Sequence, residues 1–331
     1  MSSGSPSGTT RSRLRVAPNL FGIAFGLAGL AGCWRVASRL LPLSHWIADI
    51  LFVAAGIAWV VVLTAWVAQM VRGPRTLAAE LHDAVVGPFI SLLPIDGMLL
   101  SVALVGVAPE AGRLLFGVFA ACTLLLGGWL TGQWIADRIE FDALHPGYFL
   151  PTVAGGLVAA QGAATVGWGG PSQAFFGIGM FCWVLLGSVL LARLIVRPPL
   201  PAALSPTLAI EVAPPAVAAN AYLALNGGQF DFLVWILTGY TVLMVLVQLR
   251  LLSLYSRAPF GPAFWSFTFS FASVATLALH WIDHQRGAAA SVWAWMALGL
   301  ITLLIGGIAV WSATALAAGR FLPRDEARAG K

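Results

Sequence analysis

The chain has 331 residues, of which 59% are hydrophobic and only 9% are charged, and its mean hydropathy is +0.88. A soluble globular domain carries roughly 25% charged residues, so this composition excludes one and predicts a protein that spans a lipid bilayer many times. The net charge of +5 comes from arginines at segment ends, not from one basic stripe, which argues against nucleic-acid binding.

The order of apolar segments predicts the domain organisation. Residues 1–17 are rich in Ser, Gly, Thr and Arg and are expected to form a disordered cytoplasmic tail. The transmembrane domain covers 18–318, and a second cytoplasmic tail covers 319–331. Ten apolar segments with short connections predict an all-α integral membrane fold of ten transmembrane helices in five hairpins, at 18–37, 45–71, 84–107, 112–136, 146–166, 172–196, 205–226, 230–253, 261–281 and 288–318.

Basic residues are divided unequally between the two sides of these segments. With the N-terminus inside, fourteen of the eighteen Arg and Lys residues fall in cytoplasmic connections or tails. The outer connections hold only Arg35, Arg39, Arg113 and Arg286. Because cytoplasmic loops carry an excess of Arg and Lys, both termini are predicted to be cytoplasmic, in a cell membrane or bacterial inner membrane.

Proline is confined to the odd-numbered segments. Nine prolines lie at the start of or within such segments: Pro18, Pro88, Pro94, Pro146, Pro151, Pro206, Pro214, Pro215 and Pro262. A proline inside a helix frees a carbonyl, and in lipid a freed carbonyl must be buried in protein or line a wet cavity. The odd helices are therefore predicted to form an inner ring around a central pore, inside a layer of even helices. Chance placement of proline in long apolar runs is the alternative.

Segment 261–281 mixes aromatic rings with five hydroxyl side chains. We expect Phe269 to project into the pore and block it. Helical spacing puts four residues on that pore-facing side: Trp265, Phe269, Ala272 and Thr276. A different face is predicted to be packing: Phe264, Phe267 and Phe271. Gly22 or Gly26 would give the gate ring a flat surface. The alternative is an ordinary packed helix, with the glycines serving close helix approach.

Two carboxylates lie inside predicted spans. Asp96 is near the middle of the third, and Glu211 precedes Pro214 in the seventh. Intramembrane acids are costly, so both are candidate proton or substrate sites. The alternative is a protonated or hydrogen-bonded group between helices. Because no Arg or Lys lies at mid-depth on an inner helix, an anion would be bound weakly, which suits conduction.

Signatures of enzymes are missing from the sequence. It contains no phosphate-binding loop, zinc-protease motif or nucleophile elbow. Its five histidines are near segment ends, so a haem held inside the bundle is not expected, and no cofactor or metal is predicted. His280 and His284 are spaced to share a helix face, and an interfacial metal pair is the alternative to two solvated histidines.

Motifs in the five odd segments resemble the tellurite-resistance/dicarboxylate transporter family. This family includes fungal malic-acid permeases and the plant guard-cell slow anion channel. The matching stretches are Phe21-Gly22-Ile23 with Gly26-Leu27, Phe89-Ile90 with Leu93-Pro94, His145-Pro146 with Tyr148-Phe149-Leu150-Pro151, Pro206-Thr207-Leu208-Ala209-Ile210 with Ala213-Pro214-Pro215-Ala216-Val217 and Ala221-Tyr222, and Phe264-Trp265-Ser266-Phe267-Thr268-Phe269.

This resemblance implies ten helices, a pore formed by the odd helices, a homotrimer with one pore per subunit, and occlusion by Phe269. Glu211 departs from the family pattern, which often has an apolar or amide residue there. The predicted function is therefore a gated channel for small anions. The alternatives are a proton-coupled transporter of dicarboxylates or tellurite-like oxyanions, and an electron-transfer or lipid-modifying membrane enzyme.

Overall fold

The computed structural model describes residues 15–72 and 77–322, and these residues form helices without any β-strand. Predictions for residues 1–14, for Gly73 and Arg75 in the first cytoplasmic loop and for residues 323–331 lie outside this part. The α-helices are α1 Gly22–Ala37, α2 Trp46–Arg72, α3 Leu77–Leu81, α4 Leu92–Leu104, α5 Pro109–Asp137, α6 Gly155–Thr165, α7 Gly169–Val196, α8 Ala213–Leu225, α9 Phe232–Arg250, α10 Leu252–Tyr255, α11 Ser266–Gln285 and α12 Ala290–Ala317. The predicted all-α fold is confirmed.

Each odd-numbered segment begins with a tight 3₁₀ turn that carries proline at its first or second position. These turns precede α1, α4, α6, α8 and α11, and they are Pro18–Phe21, Gly87–Ser91, Pro146–Phe149, Ser205–Val212 and Pro262–Trp265. The first N–H groups of a helix have no partner within that helix, so a proline at this position removes no hydrogen bond. The prolines therefore allow the irregular starts of these five segments.

Burial separates the segments into two layers. In the odd-numbered segments that qualify as candidate spans, 56–72% of the residues in the most apolar stretch are buried. The corresponding range is 11–28% for α2, α5, α7, α9 and α12. Rows of exposed Val, Leu, Ile and Trp side chains lie on this second set, as expected for helices that face lipid. This division matches the inner and outer layers predicted from the proline positions.

The number of uninterrupted spans differs from the predicted ten. Nine described helical segments are long and apolar enough to cross a membrane. The predicted segment 146–166 is instead built from three pieces: a 3₁₀ turn, the π-helix Leu150–Ala154 and the eleven-residue α6. Pro151 lies in the π-helical piece, where its missing N–H disturbs the regular hydrogen-bond pattern.

Part of the predicted disordered tail is docked on the helices. The backbone N–H of Val16 donates to Oε1 of Gln69 at 2.8 Å. The Arg15 guanidinium lies 3.5 Å from the buried carboxylate of Glu80, which also accepts a 2.8 Å hydrogen bond from the indole of Trp66. Arg15 and Val16, which the sequence assigns to the tail, therefore contact the helical domain.

The α6–α7 contact requires glycine on both helices. A Cβ on Gly156 would lie 2.7 Å from the backbone nitrogen of Gly179, so neither side chain flexibility nor a rotamer change could relieve the clash. Glycines at such positions let two backbones approach closely in a membrane bundle. The contact fixes the interrupted fifth segment to an unbroken outer helix.

We predict that Gly156→Ala lowers the free energy of unfolding by about 1–3 kcal/mol, because overpacking forces the backbones apart. Gly128→Ala is the matched control, since Gly128 is exposed on α5 and a Cβ there meets no atom within 4 Å. Thermal unfolding of both variants in detergent tests this. Equal stability of the two variants would contradict the close-approach explanation.

Candidate functional site

A chain of three cavities runs along the inner helices. The first, which we call the N-cavity, has a volume of about 50 Å³ and lies near the N-terminal ends of all five inner segments. Its walls are almost entirely apolar and include residues from each segment: Asn19, Phe89, Phe149, Ile210 and Pro262. The space is sufficient for only one or two water molecules.

The other two cavities are larger and more polar. The middle cavity has a volume of about 230 Å³. The vestibule, near the C-terminal ends of α1, α6, α8 and α11, has a volume of about 610 Å³. They lie side by side, and five residues line both: Val36, Arg39, Gln161, Thr165 and Asn220. Along this axis the lining changes from apolar to polar and basic.

Phe269 is the residue that lines both the N-cavity and the middle cavity. Its ring stacks on Phe25 of α1, with centroids 3.6 Å apart and planes 11° from parallel. Phe25 also lines the N-cavity. Sequence reasoning missed Phe25, although its place one helical turn after Phe21-Gly22 was a usable signal.

The glycine beside the Phe269 ring is Gly29, whereas Gly22 or Gly26 was predicted as the surface on which this ring rests. A Cβ on Gly29 would lie 3.0 Å from Cδ2 of Phe269. A Cβ on Gly26 would collide with the side chain of Thr268, and one on Gly22 would lie 3.3 Å from Cβ of Trp265. Both predicted glycines thus allow α1 to approach the start of α11, and Gly22 also lines the N-cavity.

The faces of α11 are arranged as their spacing predicts. Trp265 and Phe269 line the N-cavity, while Phe269, Ala272 and Thr276 line the middle cavity. The other aromatic face forms a stack, with Phe267 6.1 Å from Phe271 and 4.8 Å from Tyr255. Phe267 is buried in this stack, away from the cavities.

Helix α11 is fixed to its neighbours just beyond Phe269. The Cys33 thiol of α1 donates to the carbonyl of Ala272 at 3.0 Å, and its sulfur lies 3.1 Å from the Thr276 hydroxyl. On the other side, Nδ2 of Asn220 in α8 donates to the carbonyl of Ser273 at 2.9 Å. These bonds hold α11 against α1 and α8.

Most of the four predicted pore-lining prolines do not lie in a cavity wall. Pro214 lies in the wall of the N-cavity, whereas Pro94, Pro151 and Pro215 do not line any of the three cavities. The carbonyl of Pro151 instead faces α5, because a Cβ on Gly127 would lie 2.9 Å from it. Of these four prolines, only Pro214 therefore lines one of the three cavities.

Both intramembrane acids lie outside the cavity walls. Asp96 is fully buried, and neither of its carboxylate oxygens has a hydrogen-bond partner among the described residues. Glu211 lies in the irregular start of its segment near Tyr255, whose hydroxyl donates to Gln248 at 2.6 Å. Neither acid lines the three cavities, so the structure does not bring either one to the pathway.

The histidines divide between structural and cavity-facing positions. His145 is fully buried: its Nδ1 accepts from the backbone N–H of Gly147, and its Nε2 lies 3.1 Å from the carbonyl of Val85. Burial lowers the pKa of His145 to about 4, so it is neutral at physiological pH. His280 lines the vestibule. His284 also borders the vestibule, and its ring stacks on Phe230 at 4.0 Å.

We predict that Glu211→Gln changes anion flux by less than about twofold, because Glu211 lines none of the three cavities and Gln keeps the size and most of the hydrogen-bonding capacity of its side chain. The variant should also stay folded. Flux into proteoliposomes, measured with and without a pH gradient, tests this prediction. Complete loss of flux in a normally folded variant would instead assign Glu211 to proton coupling.

Comparison with known proteins identifies relatives over most of the chain. Residues 15–317 match the SLAC1 family, described as voltage-dependent anion channel. The Haemophilus influenzae tellurite resistance protein TehA homolog is 30% identical over 259 residues, which is 78% of this chain and 79% of the relative.

More distant relatives come from a plant and an archaeon. The Arabidopsis thaliana S-type anion channel SLAH4 is 28% identical over 218 residues, covering 64% of this chain and 58% of the plant protein. An uncharacterized transporter of Methanocaldococcus jannaschii is 22% identical over 281 residues, covering 75% and 80% respectively. The resemblance inferred from the odd-segment motifs is confirmed.

Proposed function

Because the chain belongs to the SLAC1 family of voltage-dependent anion channels, we propose that it is a gated channel that conducts small anions passively. The observation that carries this proposal is the position of Phe269, whose ring stands between the N-cavity and the middle cavity. An apolar ring in a narrow path excludes water and raises a dewetting barrier against ions. In this proposal Phe269 is the gate, with Phe25 as the ring that it closes against.

The composition of the pathway supports conduction over tight binding. Beyond Phe269 the vestibule carries arginine and amide side chains, which attract anions from solution. The N-cavity offers mainly apolar contacts, so an anion in it would be held weakly and released easily. A passive channel needs both properties.

A proton-coupled transporter of dicarboxylates or tellurite-like oxyanions is the second candidate. The buried, unpartnered Asp96 and the buried oxygen of Glu211 favour it, because such acids are common in proton relays. The name of the H. influenzae relative refers to tellurite resistance. Reversal potentials at several pH values separate the two functions, since current through a passive anion channel follows the anion gradient alone.

The proposed assembly is a homotrimer in a cell or inner membrane, with one pore in each subunit and both termini cytoplasmic. In this arrangement the segment Pro146–Thr165 also crosses the membrane, so that the nine candidate spans become ten crossings. It pairs with α7 as the third of five hairpins. The exposed apolar faces of the outer helices would meet lipid or neighbouring subunits. The excess of Arg and Lys in the proposed cytoplasmic segments supports this orientation.

We predict that Phe269→Ala yields a folded protein with larger anion conductance. An aromatic pair contributes roughly 0.5–1.5 kcal/mol beyond area burial, so loss of the contact with Phe25 alone shifts the open-to-closed ratio about two- to tenfold. Removal of the ring also widens the path. Single-channel recording and liposome flux measure this change.

Phe267→Ala is the matched control for the gate variant, on the same helix but in the buried aromatic stack. It should cost about 3–5 kcal/mol of stability and leave conductance low. The gate assignment fails if Phe269→Ala conducts no better than the unmodified protein, or if Phe267→Ala opens the pore instead.

The proposed orientation predicts opposite labelling at two glycines. A cysteine at Gly73 should react only with reagent on the cytoplasmic side, and a cysteine at Gly287 only from outside. Membrane-impermeant thiol reagents applied to intact cells and to inverted vesicles measure this. Labelling of both positions from one side would rule out ten crossings.

A further inference from the structure

The vestibule contains one arginine whose charge is left uncompensated. Among the four arginines in the proposed outer connections, three have a carboxylate nearby: Arg35 with Asp49 at 3.1 Å, Arg113 with Glu110 at 3.0 Å and Arg286 with Asp283 at 3.4 Å. Arg39 makes no ion pair with any described residue, and it lines both the vestibule and the middle cavity. Its guanidinium is available for an anion from solution.

His280 provides the second group. It lines the vestibule on α11 together with Arg39, and Asp283 lines the same cavity. Its ring nitrogens make no hydrogen bond within the described part of the chain. A neutral imidazole presents one N–H donor and one acceptor nitrogen. The wall next to Arg39 thus offers a hydrogen-bond acceptor as well as donors.

Asn220 provides a third group at the junction of the two cavities. Its amide nitrogen is bound to the carbonyl of Ser273, but its Oδ1 has no partner although the side chain is only 4% exposed. Buried polar atoms usually find hydrogen-bond partners, so an unpaired acceptor in a basic cavity wall is unusual. A ligand with a donor group, or water held with it, would satisfy this atom after a small adjustment.

We propose that the vestibule holds a capture site for a small monovalent oxyanion that still carries a proton, of which hydrogencarbonate is the simplest example. Arg39 donates to the charged oxygens, and the acceptor nitrogen of His280 receives the O–H. Nitrate or a halide also accepts hydrogen bonds from Arg39. Because neither has an O–H group to donate, its negative charge would lie against the lone pair of the His280 acceptor nitrogen. This site deepens, and rests on, the proposed anion-channel function.

The test uses the Phe269→Ala background, in which passage through the gate does not limit flux. Liposome flux of hydrogencarbonate and of nitrate is measured over a range of concentrations at one fixed neutral pH. Hydrogencarbonate should half-saturate at the lower concentration. Arg39→Gln should raise both half-saturating concentrations about tenfold, since it removes charge-assisted hydrogen bonds.

Arg113→Gln is the matched control for charge. Arg113 lies in a proposed outer connection, but it is paired with Glu110 and lines neither cavity, so both half-saturating concentrations should stay the same. His280→Phe keeps a ring while removing both nitrogens, and it should raise the value for hydrogencarbonate alone. His280→Asn keeps a donor and an acceptor and should restore part of the preference.

Two results would overturn the capture site: half-saturation within about twofold of the background in Arg39→Gln, or an unchanged hydrogencarbonate-to-nitrate ratio in His280→Phe. If His280→Phe does not fold, His280→Leu tests the same loss of nitrogens. Failure of the channel function itself has a different result, because Phe269→Ala would then pass neither anion. Saturable flux of both anions that is indifferent to Arg39 and His280 refutes the capture site alone.

Discussion

The fold depends on the need to satisfy backbone N–H and C=O groups where no water is present. In the hydrocarbon of a bilayer, irregular backbone is tolerated only when protein or a wet cavity surrounds it. The 3₁₀ and π turns of the inner segments meet this condition because unbroken helices such as α2, α7 and α12 surround them. The outer helices therefore also shield the irregular backbone of the inner segments from lipid.

The same arrangement produces a pathway whose chemistry changes along its length. The proline-containing turns bring apolar side chains together around the N-cavity, whereas the C-terminal ends of α1, α6, α8 and α11 line the larger vestibule. Phe25 and Phe269 meet where these two regions join. An apolar ring pair thus lies between an apolar space and a more polar one.

The sequence predicted features that depend on one helix at a time. Proline positions predicted which segments are buried, and helical spacing predicted that Phe269 and Phe267 lie on different faces of α11. These properties follow from local periodicity and from the missing N–H of proline.

Features that depend on two helices were not predicted. Which glycine of α1 meets Phe269 is set by how α1 is rotated and shifted against α11, and side-chain packing decides this. The same applies to Glu211, which lies near Tyr255 and away from the cavities. For the fifth segment, sequence periodicity showed an apolar run but gave no sign that Pro151 lies in a π-helical turn.

The docking of Arg15 and Val16 gives the N-terminal segment a mechanical connection to the pathway. Glu80 is buried, so separating its carboxylate from Arg15 and Trp66 would leave a charge without a partner. Only four residues farther along, Asn19 forms part of the N-cavity wall. Four residues of chain span at most about 14 Å. A displacement of Arg15 away from Glu80 by more than a few ångströms would therefore also displace Asn19.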